Sequence, residues 1–351
     1  MKKYFYFLIF LPSILFFSCA EDTFHAPDAS QIGLINQITL NVRSISAIDF
    51  DSKGGTWIAT NMNWPNTING NLYYYHSGKI LREFTPEKMG IMNPIKTLCV
   101  DKNDNLWIGA ETLYQFDGSD FRKYDSTDSK LLKNSIRSII SDKENSIWIS
   151  TTGWDNGGII QIDGQRIRDY TVSNSPLSGI FTWDMVSDKY NNKWIISGKA
   201  FRFSMNVIKI SGSNWQIIDL QNQGAPVPQT TGISMAGNNP CVGVNYQDSY
   251  QMITYPEIFI WSGNKWLGLD LTMDNKPLPV MLLAMTASMD GSIWAFTQSF
   301  PSWNCSLLYF DGKKWNTVPN VPINTPTLLK TDRDNNLWIP TGNRIYIYGS
   351  K

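Results

Sequence analysis

Apolar and polar positions along the chain fall into short alternating or fully apolar runs separated by turn-forming clusters, and the same order of runs returns at intervals of about 45 residues. One copy shows the order in full. Ile95-Lys-Thr-Leu-Cys-Val100 predicts a first strand, and Asp101-Lys-Asn-Asp-Asn105 a tight turn rich in residues that bond their own backbone or accept left-handed conformations. Leu106-Trp-Ile108 predicts a second strand and Leu113 to Phe116 a third. Asp117-Gly118 turns the chain, and Phe121 to Tyr124 predicts a fourth. Branched and aromatic residues occupy both faces of these runs, so each sheet is expected to be buried on both sides by its neighbours.

Three markers fix the repeat. An aspartate stands six positions before a tryptophan at Asp51/Trp57, Asp101/Trp107, Asp142/Trp148, Asp188/Trp194 and Asp332/Trp338, and Ser288/Trp294 forms a sixth copy with serine in the aspartate slot. A degenerate copy, Asn239-Pro-Cys241-Val-Gly243, fits the double gap between Trp194 and Trp294 with cysteine in the tryptophan slot. The second marker is an apolar run closing on glycine, as in Leu72 to Gly78, Leu113 to Gly118, Ile159 to Gly164, Val207 to Gly212, Ile258 to Gly263 and Leu307 to Gly312. The third is an aliphatic or aromatic residue shortly after that glycine: Ile80, Phe121, Ile167, Trp215, Trp266 and Trp315.

Four-stranded units at this spacing predict an all-β fold, a seven-bladed β-propeller. The final copy stops after three strands (Thr327 to Thr331, Leu337 to Thr341, Arg344 to Tyr348), and one orphan strand, Leu34 to Leu40, precedes the first copy. Open sheet edges invite aggregation. The N-terminal strand is therefore expected to complete the last blade, a 3+1 closure. Six or eight blades are the alternatives, because the fifth copy is degenerate.

The first residues read as a processing signal. Lys2 and Lys3 precede an apolar run from Tyr4 to Phe17, too short to span a bilayer comfortably, and Ser18-Cys19 follows. This resembles the lipobox of bacterial lipoproteins, although Phe16 stands where leucine is usual. The resemblance implies acylation of Cys19, and Ala20 directly after it implies the outer membrane. The expected division is a signal peptide over 1–18, a lipidated tether over 19–31 and the propeller over 32–351. An ordinary secretory peptide cut near Ala20 is the alternative.

Composition narrows the partners. Thirty basic and thirty acidic residues are interspersed, which argues against nucleic acid, a partner that requires a concentrated basic face. Besides Cys19 there are Cys99, Cys241 and Cys305, an odd number expected to be mostly buried free thiols, with a Cys241–Cys305 disulfide as the alternative.

The run Asp101-Lys-Asn-Asp-Asn-Leu-Trp-Ile-Gly109 with Leu113-Tyr-Gln-Phe-Asp-Gly118 is similar to the two-component-regulator propeller repeat. That family is best known from sensory ectodomains of hybrid histidine kinases, where two such propellers precede a transmembrane helix and kinase. The resemblance is close in copies two, three and seven and loose in four to six. With one propeller and no kinase or spanning helix in this sequence, it implies fold rather than direct signalling.

In a propeller the a–b and c–d turns share one face, and the b–c and d–a connections share the other. The first set is short here. The second is long and aromatic, placing Trp64, Trp154, Asp155, Trp183, Phe201, Tyr246, Tyr250 and Trp303 on one rim. Rings with polar edges on loops held by a rigid scaffold suit glycans or peptide side chains. The repeated tryptophans, by contrast, are expected in the core. The Asp-rich turns lack the downstream ligands of a calcium loop, and only His25 and His76 exist, which removes histidine-based zinc sites and Ser-His-Asp triads. An enzymatic reading would use a carboxylate pair from first-strand or loop residues, such as Asp155 with Asp184. The expected function is a non-catalytic, monomeric, ligand-binding propeller lipoprotein without cofactor, recognising a glycan. An envelope protein as partner and a propeller lyase or lactonase-like enzyme are the alternatives.

Overall fold

The computed structural model describes residues 26–61, 70–153, 156–199, 205–218, 228–247, 254–273, 276–277, 280–299, 302–323 and 325–351. Among these, seven four-stranded antiparallel blades follow one another. Blade 1 comprises Ser44–Phe50, Thr56–Asn61, Leu72–His76 and Lys79–Phe84; blade 2 comprises Thr97–Val100, Leu106–Gly109, Leu113–Phe116 and Phe121–Tyr124. Blade 3 is Ser135–Ser141, Ile147–Thr152, Gly158–Asp163 and Arg166–Tyr170, and blade 4 is Phe181–Ser187, Lys193–Gly198, Met205–Ser211 and Asn214–Ile218. Blade 5 is Pro228–Ala236, Asn239–Gln247, Thr254–Trp261 and Trp266–Asp270; blade 6 is Val280–Ala287, Ile293–Ser299, Cys305–Phe310 and Trp315–Thr317.

Blade 7 closes as expected. Its strands Lys330–Thr331, Leu337–Thr341 and Arg344–Ser350 receive Ile32–Thr39 as the fourth, with Ile32 opposite Ser350 and Thr39 opposite Arg344. The first strand of this blade is shorter than the expected Thr327 to Thr331, but Thr327 N–H still donates to Pro340 O (2.8 Å).

Seven hydrophobic clusters occupy the seven seams between neighbouring blades, and the last seam joins blade 7 to blade 1. Each seam is built on the tryptophan slot of one blade: Trp57, Trp107, Trp148, Trp194, Cys241, Trp294 and Trp338 in chain order. All six tryptophans are buried, as expected. The third marker comes from the following blade. Trp266 meets Trp194 edge-on with centroids 6.0 Å apart, and Trp215 packs in the seam of Trp148. Where Cys241 replaces tryptophan, Phe310 and Trp315 of blade 6 fill the seam.

The aspartate earns its place through its two oxygens. In blade 3, Asp142 Oδ1 accepts the N–H groups of Glu144 and Ser146, both at 2.9 Å, while Oδ2 accepts Trp148 Nε1–H at 2.9 Å. Blades 2, 4 and 7 repeat the indole bond at 3.0, 2.9 and 2.8 Å. These carboxylates are thus occupied by their own turns, which is the physical account of the acidic repeats. Blade 1 differs: Tyr74 Oη–H, not an indole, donates to Asp51 Oδ2 (2.7 Å).

The turn also stitches the ring. Its fourth residue adopts positive φ, as in Asp104 (61°), Asn145 (65°) and Asn191 (64°), a conformation that Asn and Asp tolerate better than most side chains. The same side chains accept a backbone N–H from the preceding blade: Ser52 to Asp104, Lys102 to Asn145 and Lys143 to Asn191, at 2.8, 2.8 and 2.9 Å. One side chain in each turn serves both purposes.

Candidate functional site

The innermost strands carry a recurring irregularity. In blades 1, 3, 4, 5 and 6 the register between first and second strands slips near the loop-rich end. The extra residues are Ser46, Arg137, Trp183, Thr231 and Leu283. A bulge bends its strand and re-aims the extra side chain. Gly109 shows how close the packing is there, since a Cβ on it would lie 2.7 Å from Thr97 and 2.8 Å from Ile136 of the next blade.

Four of the five bulge residues line one cavity of about 380 Å³ at the loop-rich mouth of the central axis: Arg137, Trp183, Thr231 and Leu283 from blades 3 to 6. Asp184, Thr230 and Asn245 complete its polar lining. The Arg137 guanidinium lies 4.1 Å from the Trp183 ring centroid, a cation–π stack that holds both groups at the wall. Trp183 is fixed from behind by Ser150, whose hydroxyl donates to Trp183 O (3.0 Å). Asn245 is committed to the scaffold: its amide pairs with both N–H and C=O of Leu282 across the seam of blades 5 and 6, at 2.8 and 2.9 Å.

Asp184 bridges three blades. It accepts Ser138 Oγ–H (3.0 Å) from blade 3, its own neighbour Met185 N–H (2.9 Å), and Ile233 N–H from blade 5 at 3.4 Å. Desolvation by burial outweighs these donors and raises its carboxyl above the usual range. Across the ring, Lys330 of blade 7 pairs with Asp49 of blade 1 at 2.7 Å. Lys96 stands beside Arg137. Burial, followed by that neighbouring cation, lowers its ammonium from the ordinary lysine value.

Of the aromatic residues expected on this rim, Trp183 lines the cavity. Trp303 stands on the same face in the second-to-third strand loop of blade 6, prominently exposed (61%) and with φ of 58°. Gln298, opposite Met281 of the cavity wall, donates to Trp303 O (3.3 Å), so the loop is tethered beside the mouth. Tyr246 follows Asn245 on its strand, with its backbone opposite Pro228 and Tyr255. Trp64, Trp154, Asp155, Phe201, Tyr250 and Cys19 lie outside the described residues. Asp155 therefore gives no geometry for a pair with Asp184.

Arg137, Thr231 and Leu283 were not among the expected site residues. A signal for them exists: each of Ser46, Lys96, Arg137, Trp183, Leu283 and Thr327 stands eleven residues ahead of its blade's tryptophan. Thr231 stands ten ahead of Cys241, because blade 5 replaces the aspartate turn with the shorter Gly237–Asn238 link.

Comparison with known proteins agrees with the repeat. The family model described as two component regulator propeller matches residues 91–112 and 130–153, so the chain carries that repeat in blades 2 and 3. No curated protein matches the chain. Among solved structures, a streptogramin B lyase superposes with a TM-score of 0.65 at 15% identity, covering 93% of this chain and 100% of that one. The extracellular domain of a putative hybrid two component system from B. thetaiotaomicron gives 0.63 at 16% identity, covering 90% of this chain and 41% of that one. A catalytically inactive histidine-to-alanine variant of virginiamycin B lyase from Staphylococcus aureus, with quinupristin, gives 0.64 at 14% identity and covers 91% of this chain and 100% of that one. At these identities the likeness is one of fold.

Proposed function

We propose that this protein is a non-catalytic binding module that captures a glycan at the loop-rich mouth of its propeller. The observation that carries the reading is the cavity built from successive bulge residues, with the Arg137–Trp183 stack on its wall. Sugars offer apolar ring faces and hydroxyl edges, and the stack joins an aromatic plate to a planar donor. The similarity to a sensory ectodomain supports ligand recognition by this fold. The Lys2 to Cys19 segment supports a lipid anchor at Cys19 and residence at the outer membrane.

The lyase neighbours motivate the rival reading. One of them is catalytically inactive in a histidine-to-alanine form. In this chain the histidine within the described residues is His76, which ends the third strand of blade 1 and stacks on Tyr74 on the opposite, tight-turn side. That placement favours binding over catalysis. Exposed Trp303 favours a protein partner on the same rim as a second reading.

The test is a calorimetric screen of the purified protein against a glycan panel, repeated with Trp183→Ala and Arg137→Ala. Binding lost in both variants, with unfolding midpoints kept, supports the proposal. A panel without binders, alongside an envelope protein whose direct binding is lost in Trp303→Ala, would move the function to protein recognition. Turnover of an offered substrate that depends on Asp184 would replace binding with catalysis.

A further inference from the structure

The tight-turn face, whose short loops suggest no role, holds a recess of about 600 Å³ at the seam of blades 3 and 4. Lys193 lies at its floor. The residue before the tryptophan is apolar and buried in four other blades (Leu106, Ile147, Ile293, Leu337), and in blade 4 it is a lysine with its side chain only 8% exposed. Its Nζ pairs with Asp142 Oδ2 at 2.7 Å, donates to Asn191 O at 3.0 Å and lies 4.9 Å from the Trp148 ring centroid.

Part of this has a structural reason. In blades 2, 4 and 7 an asparagine amide completes the aspartate's donors (Asn105, Asn192, Asn336), whereas blade 3 has Ser146 there and Lys193 supplies the missing donor. Asparagine is nevertheless the solution this fold uses elsewhere, and it needs no buried cation, whose desolvation is costly. An ammonium also has three N–H groups. Two are engaged, and the third has no acceptor among the described residues of the recess.

The remaining walls are aromatic and polar. Tyr170 and Trp215 pack with centroids 5.3 Å apart, and Tyr190 stands at the rim, 73% exposed. Gln161 accepts from both Arg168 (3.2 Å) and Tyr170 (3.0 Å). The charges of Asp142 and Glu144 offset those of Arg168 and Lys193, so neither an anion nor a cation meets a field of opposite sign. Aromatic plates, planar polar edges and balanced charge together suit an uncharged ligand with apolar ring faces and hydroxyl rims. We infer that this recess is a second carbohydrate site, which takes a neutral oligosaccharide with a hydroxyl oxygen accepting from Lys193. It stands on residues separate from the mouth cavity.

The experiment titrates the purified protein with maltotriose, cellotriose and a trimer of galacturonic acid, following tryptophan fluorescence and calorimetric heat. Two variants probe the site. Tyr190→Ala removes an exposed ring, and Ser146→Asn combined with Lys193→Leu installs the asparagine solution of the other blades and removes the cation. At least one neutral trimer is expected to bind, to weaken roughly three- to tenfold in Tyr190→Ala, and to lose at least tenfold in the double variant with its unfolding midpoint retained. Absence of binding by both neutral trimers, preference for the charged trimer, or binding indifferent to both variants would overturn the inference. Binding abolished by Trp183→Ala but not by these variants would assign the sugar to the mouth cavity, overturning this site while upholding the proposed function.

Discussion

Blade 6 keeps the tryptophan and lacks the aspartate, and Ser288→Asp tests what that carboxylate contributes. Ser288 and Trp294 are fully buried, and neither Ser288 Oγ nor Trp294 Nε1 has a partner. The turn backbone already matches the intact repeats: Ser288 N–H donates to Ser292 O at 2.9 Å and Gly291 N–H to Ser288 O at 3.0 Å, as Asp142 and Asn145 do in blade 3. A carboxylate at 288 therefore arrives in reach of the indole. Relieving an orphaned buried donor is worth about 1–3 kcal/mol, and a charged acceptor lies at the upper end. Against this stands desolvation of the new carboxylate, with fewer donors to meet it than in blade 3. Asp290 Oδ1 already holds the N–H and hydroxyl of Ser292, at 2.9 and 2.7 Å. The expected net gain is about 1 kcal/mol. Adding Ser292→Asn, the residue type found at this position in blades 2, 4 and 7, should raise the gain beyond the sum of the single changes. Urea unfolding followed by fluorescence at pH 7 reads both effects as midpoint shifts at constant slope. An unchanged or lowered midpoint in the single and double variants would refute the reasoning, showing that the turn carboxylate serves its own backbone and that the indole bond is incidental.

Three further outcomes follow from the same geometry. Asn145→Gly keeps the left-handed turn and deletes the strap to Lys102, so urea midpoints should show a loss of about 1 kcal/mol, and Asn145→Ala should lose roughly 1 kcal/mol more through backbone strain. Asp184 has a carboxyl raised above its ordinary 3.8, so the native state holds its proton more tightly than the unfolded chain; its contribution is present at low pH and lost as pH rises through the folded value. Asp184→Asn should accordingly be more stable than the parent at pH 7, with the difference shrinking toward pH 4, and equal stability profiles at both pH values would contradict this. Burial pushes the Cys241 thiol up to about 12 and raises Cys99 and Cys305 as well, but Cys305 is half-buried where the other two are fully buried, so iodoacetamide at pH 8 should label Cys305 first in the native protein and all three propeller cysteines after denaturation, as read by mass spectrometry.

Blade boundaries were legible because the features that set them are local. A turn aspartate that binds its own backbone and a tryptophan six residues on belong to one hairpin, and their spacing survives in the sequence. Closure was legible for a different reason: three strands at one end and one at the other leave a single way to pair every edge. The mouth cavity was harder to see. A bulge is a property of two strands in register, so Arg137 reads in isolation as an ordinary charged strand residue, and only counting back from Trp148 aligns it with Trp183 and Ser46. The straps were hidden likewise, because Asn145 has sufficient reason to be asparagine from its φ alone, and its second partner, Lys102, lies in the neighbouring repeat. Trp183 was found from its place near the rim. What holds it there, Ser150 behind and Arg137 in front, comes from the adjacent blade.

The two faces of the ring divide the work of holding the structure together. On the tight-turn side, neighbouring blades are tied by backbone donors to Asp104, Asn145 and Asn191, residues whose identity is already fixed by turn geometry. On the other side the ties differ from seam to seam: the Thr182 hydroxyl binds Thr151 and Gly158 carbonyls, Asn245 pairs with Leu282, and Asp184 reaches Ser138 and Ile233. A seam held by a repeated device can change little without losing its turn. A seam held by individual contacts allows the side chain to vary from bulge to bulge, which is why one position holds two hydroxyls (Ser46, Thr231), a guanidinium (Arg137), an indole (Trp183) and an aliphatic group (Leu283). Variation at one geometric position around a rigid ring is a means of composing a binding surface. The recess beside Lys193 fits the same logic from the other side: it occurs where the tight-turn device itself departs from its pattern, with Ser146 in place of asparagine.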